Sequence, residues 1–128
     1  MIPYYRWIGL PHGLGADPDD GVAADCLVLT CKILRDQGFD PPAINPQWFD
    51  QAAAGAWDGL YREWMTYLEP AYTHHTGTLI LYYRPTAYLG MGVYIDQGYL
   101  TVSHKRGVVW KPLASVRARP WRLRNAAV

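Results

Sequence analysis

One cysteine stands directly after an acidic residue at the start of an apolar run, a position where a thiol can act as a nucleophile. Within residues 17–38, Asp25 suits the N-cap of a helix and Cys26 its first turn. The unpaired backbone N–H groups and the dipole at a helix start favour a thiolate, so the sequence predicts a lowered pKa for Cys26. The alternative is a small buried apolar side chain, because free cysteines are among the most buried residues.

A cysteine nucleophile needs a base, usually a histidine, and a residue that orients the base. The chain has four histidines. His12 lies in the N-terminal loop, His74 and His75 precede the first predicted strand, and His104 ends the third. Because none of them is near Cys26 in sequence, only the fold can bring one to the thiol.

The other polar motifs predict neither a metal site nor a phosphate-binding loop. The acidic turn 17–20 lacks the later glutamate of a calcium-binding loop, so its acids are interpreted as turn formers and caps. The glycines of 13–15 do not follow a strand of a βαβ unit and predict a turn. Cys26 and Cys31 lie five apart, which suits neither a disulfide nor a four-ligand zinc site. We expect no cofactor and no metal.

The elements that must position these residues are helices first and strands afterwards. The apolar run after Asp25 predicts a helix that ends at Gly38. A second, aromatic-rich helix is predicted for residues 47–68, with a break or bend at Gly55 and Gly59.

From residue 77 onward the apolar period changes to two, which is typical of strands. Gly98 and Gly107 supply positive φ angles for short turns, so consecutive strands should pair as antiparallel hairpins. This order predicts a single α+β domain over residues 1–128, with N-terminal helices packed on a C-terminal antiparallel sheet of about five strands. The predicted strands are 78–83, 90–96, 99–104, 107–110 and 121–123.

Charge is unevenly distributed, although the net charge is only +1. Residues 1–96 hold all 11 acidic residues and 5 basic ones, whereas residues 97–128 hold 7 basic residues and no acid. This basic tail could meet an acidic partner subunit, an anionic wall polymer or nucleic acid, or it could be a solvated face that neutralises the acidic part. Its candidate partner-binding residues are Arg117, Arg119, Arg122 and Arg124.

Aromatic residues are also abundant, with 6 Trp and 10 Tyr. Aromatics beyond what one core absorbs are typical anchors of protein interfaces, and Trp48 and Tyr67 fall off the apolar stripe of the second helix, so both are predicted partner contacts. No apolar run approaches the roughly 18 residues that span a bilayer, and the N-terminus lacks a signal-peptide core. We therefore expect synthesis in the cytoplasm and no membrane span.

The order of motifs resembles that of the NlpC-type papain-like cell-wall cysteine peptidases, and the resemblance covers most of the chain. The start of the chain resembles in particular the members found in tail modules of bacteriophages. The resemblance implies a papain-like NlpC-type fold with Cys26 as the nucleophile. The motifs that carry it are Trp7-Ile-Gly-Leu-Pro11, Asp25-Cys26, Gly77-Thr-Leu-Ile-Leu-Tyr82, Gly92-Val-Tyr-Ile95 and Gly107-Val-Val109.

The chain departs from the family at the catalytic base. The family's histidine immediately precedes the motif 92–95, and that position here is Met91. The residue that orients the base maps to Val102, or to His104, which lies about 7 Å further along the same strand face. General acid–base catalysis contributes about 10²- to 10⁴-fold, so the resemblance implies a degenerate relative that keeps the fold and the cysteine.

Two functions follow from the resemblance. In the first, the chain is a structural or assembly subunit of a bacteriophage tail tip or baseplate, located in the virion and bound to other tail subunits. In the second, it is an active peptidase that cleaves peptidoglycan stem peptides during cell entry, with His104 as orienting residue and His12 or His75 as a base supplied by a loop. A nucleic-acid binder on the basic tail has little support from the aromatic remainder, so no nucleic acid is expected.

Overall fold

Within residues 2–126, which this computed structural model describes, three α-helices precede an antiparallel sheet of six strands. The predicted α+β class is confirmed, and the sheet has one strand more than expected. The helices are α1 (Cys26–Asp36), α2 (Gln47–Ala53) and α3 (Trp57–Met65). The strands are β1 (Leu68–Pro70), β2 (Thr78–Arg84), β3 (Tyr88–Ile95), β4 (Gly98–Ser103), β5 (Gly107–Pro112) and β6 (Trp121–Leu123).

Helix α1 forms where the sequence predicts it, because Asp25 caps its start. The Asp25 carboxylate accepts hydrogen bonds from the backbone N–H groups of Leu27 (2.9 Å) and Val28 (3.3 Å), two donors that the helix itself leaves unpaired. Gly38, with φ +92°, follows the end of the helix. Helix α1 packs on β3 and β4, so its first residue faces the middle of the sheet. None of the helices in the described part of the chain is long and apolar enough to cross a bilayer.

The aromatic region 47–68 forms two helices, because the chain turns at Gly55, with φ +75°. Gly59 lies inside α3 and causes no break. The expectation that Trp48 falls outside the core is wrong: it is 2% exposed, its indole packs 5.5 Å from that of Trp64, and its Nε1 donates to Glu63. The prediction counted the apolar residues of 47–68 as one continuous helix through the break at Gly55, and it therefore assigned the wrong face of α2 to the core.

The sheet has the strand order β1-β6-β2-β3-β4-β5. The additional strand, β1, pairs Leu68 with Leu123 of β6 at the sheet edge. It was not predicted because three residues are too few to show a period of two and one of them is Pro70, which sheets tolerate at edges.

In the turn between β3 and β4, the positive φ angles occur at other residues than expected. Asp96 (φ 52°) and Gln97 (φ 62°) occupy the left-handed region, and Gly98 does not. Gly98 is needed for space instead, because a Cβ there would lie 2.3 Å from the carbonyl oxygen of Lys111. The next turn follows the expectation, with Gly107 at φ +72°.

The ladder between β3 and β4 stops before the strands end. It runs from the pair Ile95 and Gly98 to the pair Gly92 and Thr101. Beyond that pair the carbonyl of Met91 accepts a hydrogen bond from Thr101 Oγ1 at 2.9 Å. Since β3 continues beside β2 and β4 continues beside β5, the two central strands separate at this end of the sheet.

An N-terminal arm, residues 9–12, runs from the far edge of the sheet to the start of α1. Gly9 N–H donates to Val108 O at 2.9 Å, and Val108 N–H donates to Leu10 O at 2.8 Å, which attaches the arm to β5. A Cβ on Gly107 would lie 2.0 Å from the Leu10 carbonyl oxygen. The glycine therefore permits the close approach of the arm.

Candidate functional site

A cavity of about 270 Å³ lies where β3 and β4 separate and where α1 begins. Cys26 lines it, together with Met91 and Val102 from the two separating strands. The remaining sides are largely aromatic, from α2, α3, β2 and β3. These aromatic residues are Trp48, Phe49, Trp57, Tyr82 and Tyr88.

The Cys26 thiol is not activated by its place at the helix start. Burial, and after it the negative charge of the neighbouring Asp25, raise its pKa to about 12. Hydrogen bonds from the backbone, including that of Met91, lower the pKa but do not offset burial. The prediction of a lowered pKa is therefore wrong, because burial disfavours the thiolate and the carboxylate that caps the helix also repels it.

Asp25 is itself only 4% exposed and serves the backbone. Besides the two N–H groups of α1, it accepts a hydrogen bond from the backbone of Gly15 at 3.2 Å. Burial raises the pKa of the Asp25 carboxyl, and these backbone hydrogen bonds lower it. The residue thus joins the turn 13–16 to the start of α1, which confirms that the glycines of 13–15 form a turn.

Met91 and Val102 lie next to the last paired residues of the β3–β4 ladder, so they face each other across the separation. Met91 is 1% exposed and Val102 is 9% exposed, and both belong to the core. The structure therefore brings Cys26, Met91 and Val102 to one cavity. Two of these three positions carry apolar side chains that can neither accept nor donate a proton.

Two imidazoles meet in the wall of the cavity. The rings of His12 and His104 lie with their centroids 4.3 Å apart and their planes at 40°. Burial lowers the pKa of His12, the positive charge of His104 lowers it further, and Asp25 raises it. Sequence reasoning named both residues but missed their contact, because nothing in the pattern predicts that the arm pairs with β5.

The other two histidines stay away from Cys26. His74 Nδ1 is hydrogen-bonded to the Tyr99 hydroxyl at 2.7 Å, and that hydroxyl is in turn 2.9 Å from Thr78 Oγ1. His75 Nδ1 lies 2.9 Å from the carbonyl oxygen of Thr76. The structure brings neither His74 nor His75 to the cavity, whereas it brings His12 there.

Lys111 of β5 was not named from the sequence and also lines the cavity. Its Nζ lies 5.1 Å from the centre of the Tyr82 ring, a cation–π contact across the width of two intervening strands. The strand order and register place both side chains on one face of the sheet, and one sequence carries no signal for this contact.

The four candidate arginines of the basic tail and Tyr67 lie outside the cavity. Arg122 pairs with Glu69 at 3.1 Å, and the guanidinium of Arg119 lies 5.0 Å from the centre of the indole that begins β6. Arg117 and Arg124 are exposed. Tyr67 is half-buried, and its ring centre lies 5.8 Å from that of Trp64 in α3. Arg122 and Arg119 therefore contact β1 and β6, and Arg117 Nη1 donates to the Ala114 carbonyl at 2.8 Å.

Among the described residues, no group of three or more His, Cys, Asp or Glu side chains is placed to hold a metal ion. A scan against protein-family models gives no match, and a search of curated protein sequences gives none either.

Proposed function

We propose that this chain is a structural subunit of a bacteriophage tail tip or baseplate, built on a papain-like NlpC-type fold that no longer hydrolyses peptide bonds. The order of the sequence motifs supports the fold and the particle. One observation carries the loss of hydrolysis: Met91, 1% exposed, stands where the base would be, beside a thiol with a pKa of about 12.

The chemistry of amide hydrolysis is the reason that this observation supports the proposal. At neutral pH a thiol with that pKa is ionised to only about one part in 10⁵. A thioether in place of the imidazole cannot take the thiol proton or deliver it to the leaving amine. Both the nucleophile and the general acid are therefore lost at once.

Contacts to neighbouring subunits would come from exposed aromatic side chains outside the cavity. Tyr72 is 97% exposed and Tyr5 is 69% exposed, and tyrosine is enriched in protein interfaces. The exposed Arg117 and Arg124 add positive charge for an acidic neighbour. Trp48 is buried and does not take part.

The test is the infectivity and tail assembly of a particle that carries this chain. Cys26→Ala should leave the infectious titre unchanged, whereas Tyr5→Ser combined with Tyr72→Ser should lower the yield of assembled tails. Val22→Ser is a matched control, because Val22 is an exposed apolar residue at 73%. A titre that collapses with Cys26→Ala while the protein stays folded would contradict the proposal.

A second candidate, a peptidoglycan peptidase, is favoured by one observation: His12, His104 and Cys26 line the same cavity. In this case His12 would take the proton of the Cys26 thiol and His104 would orient it. Purified peptidoglycan incubated with the protein should then release stem peptides that mass spectrometry detects. Release that is lost in both Cys26→Ala and His12→Ala would establish this function, and no release from several wall types would reject it.

A further inference from the structure

The cavity holds a cationic side chain that the described part of the chain leaves without an acidic partner. The described ion pairs join Lys32 to Asp17 and Asp19, and Arg122 to Glu69, and none involves Lys111. Lys111 is nevertheless half-buried, with its ammonium group held over the ring of Tyr82. A partly desolvated ammonium with no carboxylate nearby favours an anion.

The room beside Lys111 is at Gly90 of β3. Tyr82 is paired with Gly90, and Lys111 is in register with Tyr99, so both side chains lie on the sheet face that points away from Met91. Gly90 carries no side chain on that face, and the nearest neighbours of a Cβ there would be atoms of Tyr82 at 3.7–3.9 Å. This leaves open space over β3 next to the contact of Lys111 with Tyr82, and the separation of β3 from β4 joins it to the part of the cavity beside Cys26.

The acid and two hydroxyl groups around the cavity already have partners. Asp25 is the single acid among the residues that line it, all within residues 2–126, and three backbone N–H groups hold its carboxylate. Thr101 Oγ1 donates to the Met91 carbonyl, and Ser103 Oγ accepts from the backbone of residues 105 and 106. Lys111 is the single Lys or Arg among these lining residues, so its ammonium is the group that a carboxylate would pair with.

We propose that the cavity binds a small molecule with a flat apolar body and one carboxylate, which pairs with the Lys111 ammonium. The body lies among the rings of Tyr82, Tyr88 and Trp57, which offer flat apolar faces and edges. A volume of about 270 Å³ is close to the lower end of ordinary small-molecule sites, so the ligand is compact. This inference concerns the cavity alone and holds whether or not the chain assembles into a tail.

The test is isothermal titration calorimetry with two probes that differ only in charge, naphthalene-2-carboxylate and naphthalene-2-carboxamide. A hydrogen bond to a charged group contributes roughly tenfold to a hundredfold in affinity, so the carboxylate should bind the full chain at least about tenfold more tightly than the amide. Lys111→Met should abolish this preference. Lys105→Met, which removes an exposed lysine that does not line the cavity, should preserve it.

A second variant tests the space itself. A Cβ at Gly90 would meet Tyr82 only at 3.7 Å, an ordinary contact, so Gly90→Val fits the strand but occupies the room beside Lys111. It should weaken carboxylate binding at least tenfold while the far-ultraviolet circular dichroism stays unchanged. Equal binding of the two probes, a carboxylate preference that survives Lys111→Met, or no binding at millimolar probe would each overturn the proposal.

Discussion

His12 and His104 lie with ring centroids 4.3 Å apart and ring planes tilted by 40°, although one belongs to the N-terminal arm and the other to the turn after β4. The arm reaches this turn because Gly9 and Leu10 are hydrogen-bonded to Val108 on β5. The imidazole contact therefore reports whether the arm is in place, and it joins the start of α1 to the far edge of the sheet.

The free energy of unfolding should decrease as the pH is lowered through the ordinary histidine pKa of 6.5. Burial and the neighbouring His104 lower the pKa of His12 in the folded protein, so His12 is protonated at a higher pH in the unfolded chain than in the folded one. Well above the ordinary pKa His12 is neutral in both states, and it then contributes nothing to the pH dependence of the free energy of unfolding. Urea unfolding followed by tryptophan fluorescence at a series of pH values measures the effect.

Two variants separate His12 from other titrating groups. His12→Gln should reduce the loss of stability on acidification, because it removes the group with the lowered pKa. His75→Gln is the control, because His75 is exposed and does not line the cavity. The loss of stability on acidification should be the same in this variant as in the unmodified chain. A slope that is the same in all three proteins would contradict the assignment to His12.

Gly107→Ala should destabilise the protein more than Gly21→Ala does. Both glycines have nearly the same positive φ, +72° and +73°, so both substitutions cost about 1–2 kcal/mol of backbone strain. At Gly21 nothing lies within 4 Å of the added Cβ, whereas at Gly107 it would lie 2.0 Å from the Leu10 carbonyl oxygen. We expect about 1–3 kcal/mol of additional loss at Gly107, measured by urea unfolding.

The same pair of variants tests whether the arm holds His12 at the cavity. In Gly107→Ala the arm must move away from β5, so nuclear Overhauser contacts between the rings of His12 and His104 should weaken. They should persist in Gly21→Ala. Equal stability of the two variants would mean that the arm is not packed on Gly107 in solution.

Alkylation by iodoacetamide should be slow in the folded protein. Burial raises the pKa of Cys26 and of Cys31 to about 12, whereas unfolding returns both to about 8.5. At pH 8 both thiols should react more than about a hundredfold more slowly in buffer than in urea, as followed by intact mass. Cys31→Ala isolates the signal of Cys26. Rapid labelling of Cys26 at pH 7 in buffer would contradict this prediction and would show that the thiol is reactive enough to act as a nucleophile.

The parts of the fold that the sequence predicts are those with a local physical cause. Asp25 has the side chain that a helix start needs, so α1 begins where the sequence indicates. The change to a period of two after residue 77 places β4 at residues 99–104, within one residue of the observed Gly98–Ser103. The break at Gly55 also follows locally, from a backbone angle that glycine adopts readily.

The parts that the sequence does not predict depend on contacts between distant residues. The pKa of Cys26 depends on which strands cover it, and the burial of Trp48 depends on how α2 meets α3. The unpredicted contact of Lys111 with Tyr82 depends on the order and register of four strands. Each of these is a tertiary effect that outweighs a correct local signal or has no local signal at all.

Trp48→Ala should destabilise the protein by about 3–5 kcal/mol, because a buried indole is removed and Glu63 loses its hydrogen-bond donor. Tyr72→Ala, at a side chain that is 97% exposed, should change stability by less than about 0.5 kcal/mol. Thermal and urea unfolding measure both. Similar effects at the two positions would mean that α2 does not pack on α3 as described.

Met91→His should not produce hydrolysis, although it places an imidazole where the resemblance to NlpC-type peptidases expects the catalytic base. Met91 is 1% exposed, so the new ring nitrogens would be buried, at a cost of about 1–3 kcal/mol, whereas Met91→Leu should cost less than about 1.5 kcal/mol. The thiol would still lie beside Asp25 in a site that raises its pKa to about 12. Because a base acts only on a thiol that it can ionise, stem peptides should not be released by the variant in mass spectrometry. If Met91→His released stem peptides and this release were lost on adding Cys26→Ala, the imidazole would be the only catalytic group that the chain lacks. The pKa of the thiol would then have to fall when a histidine faces it.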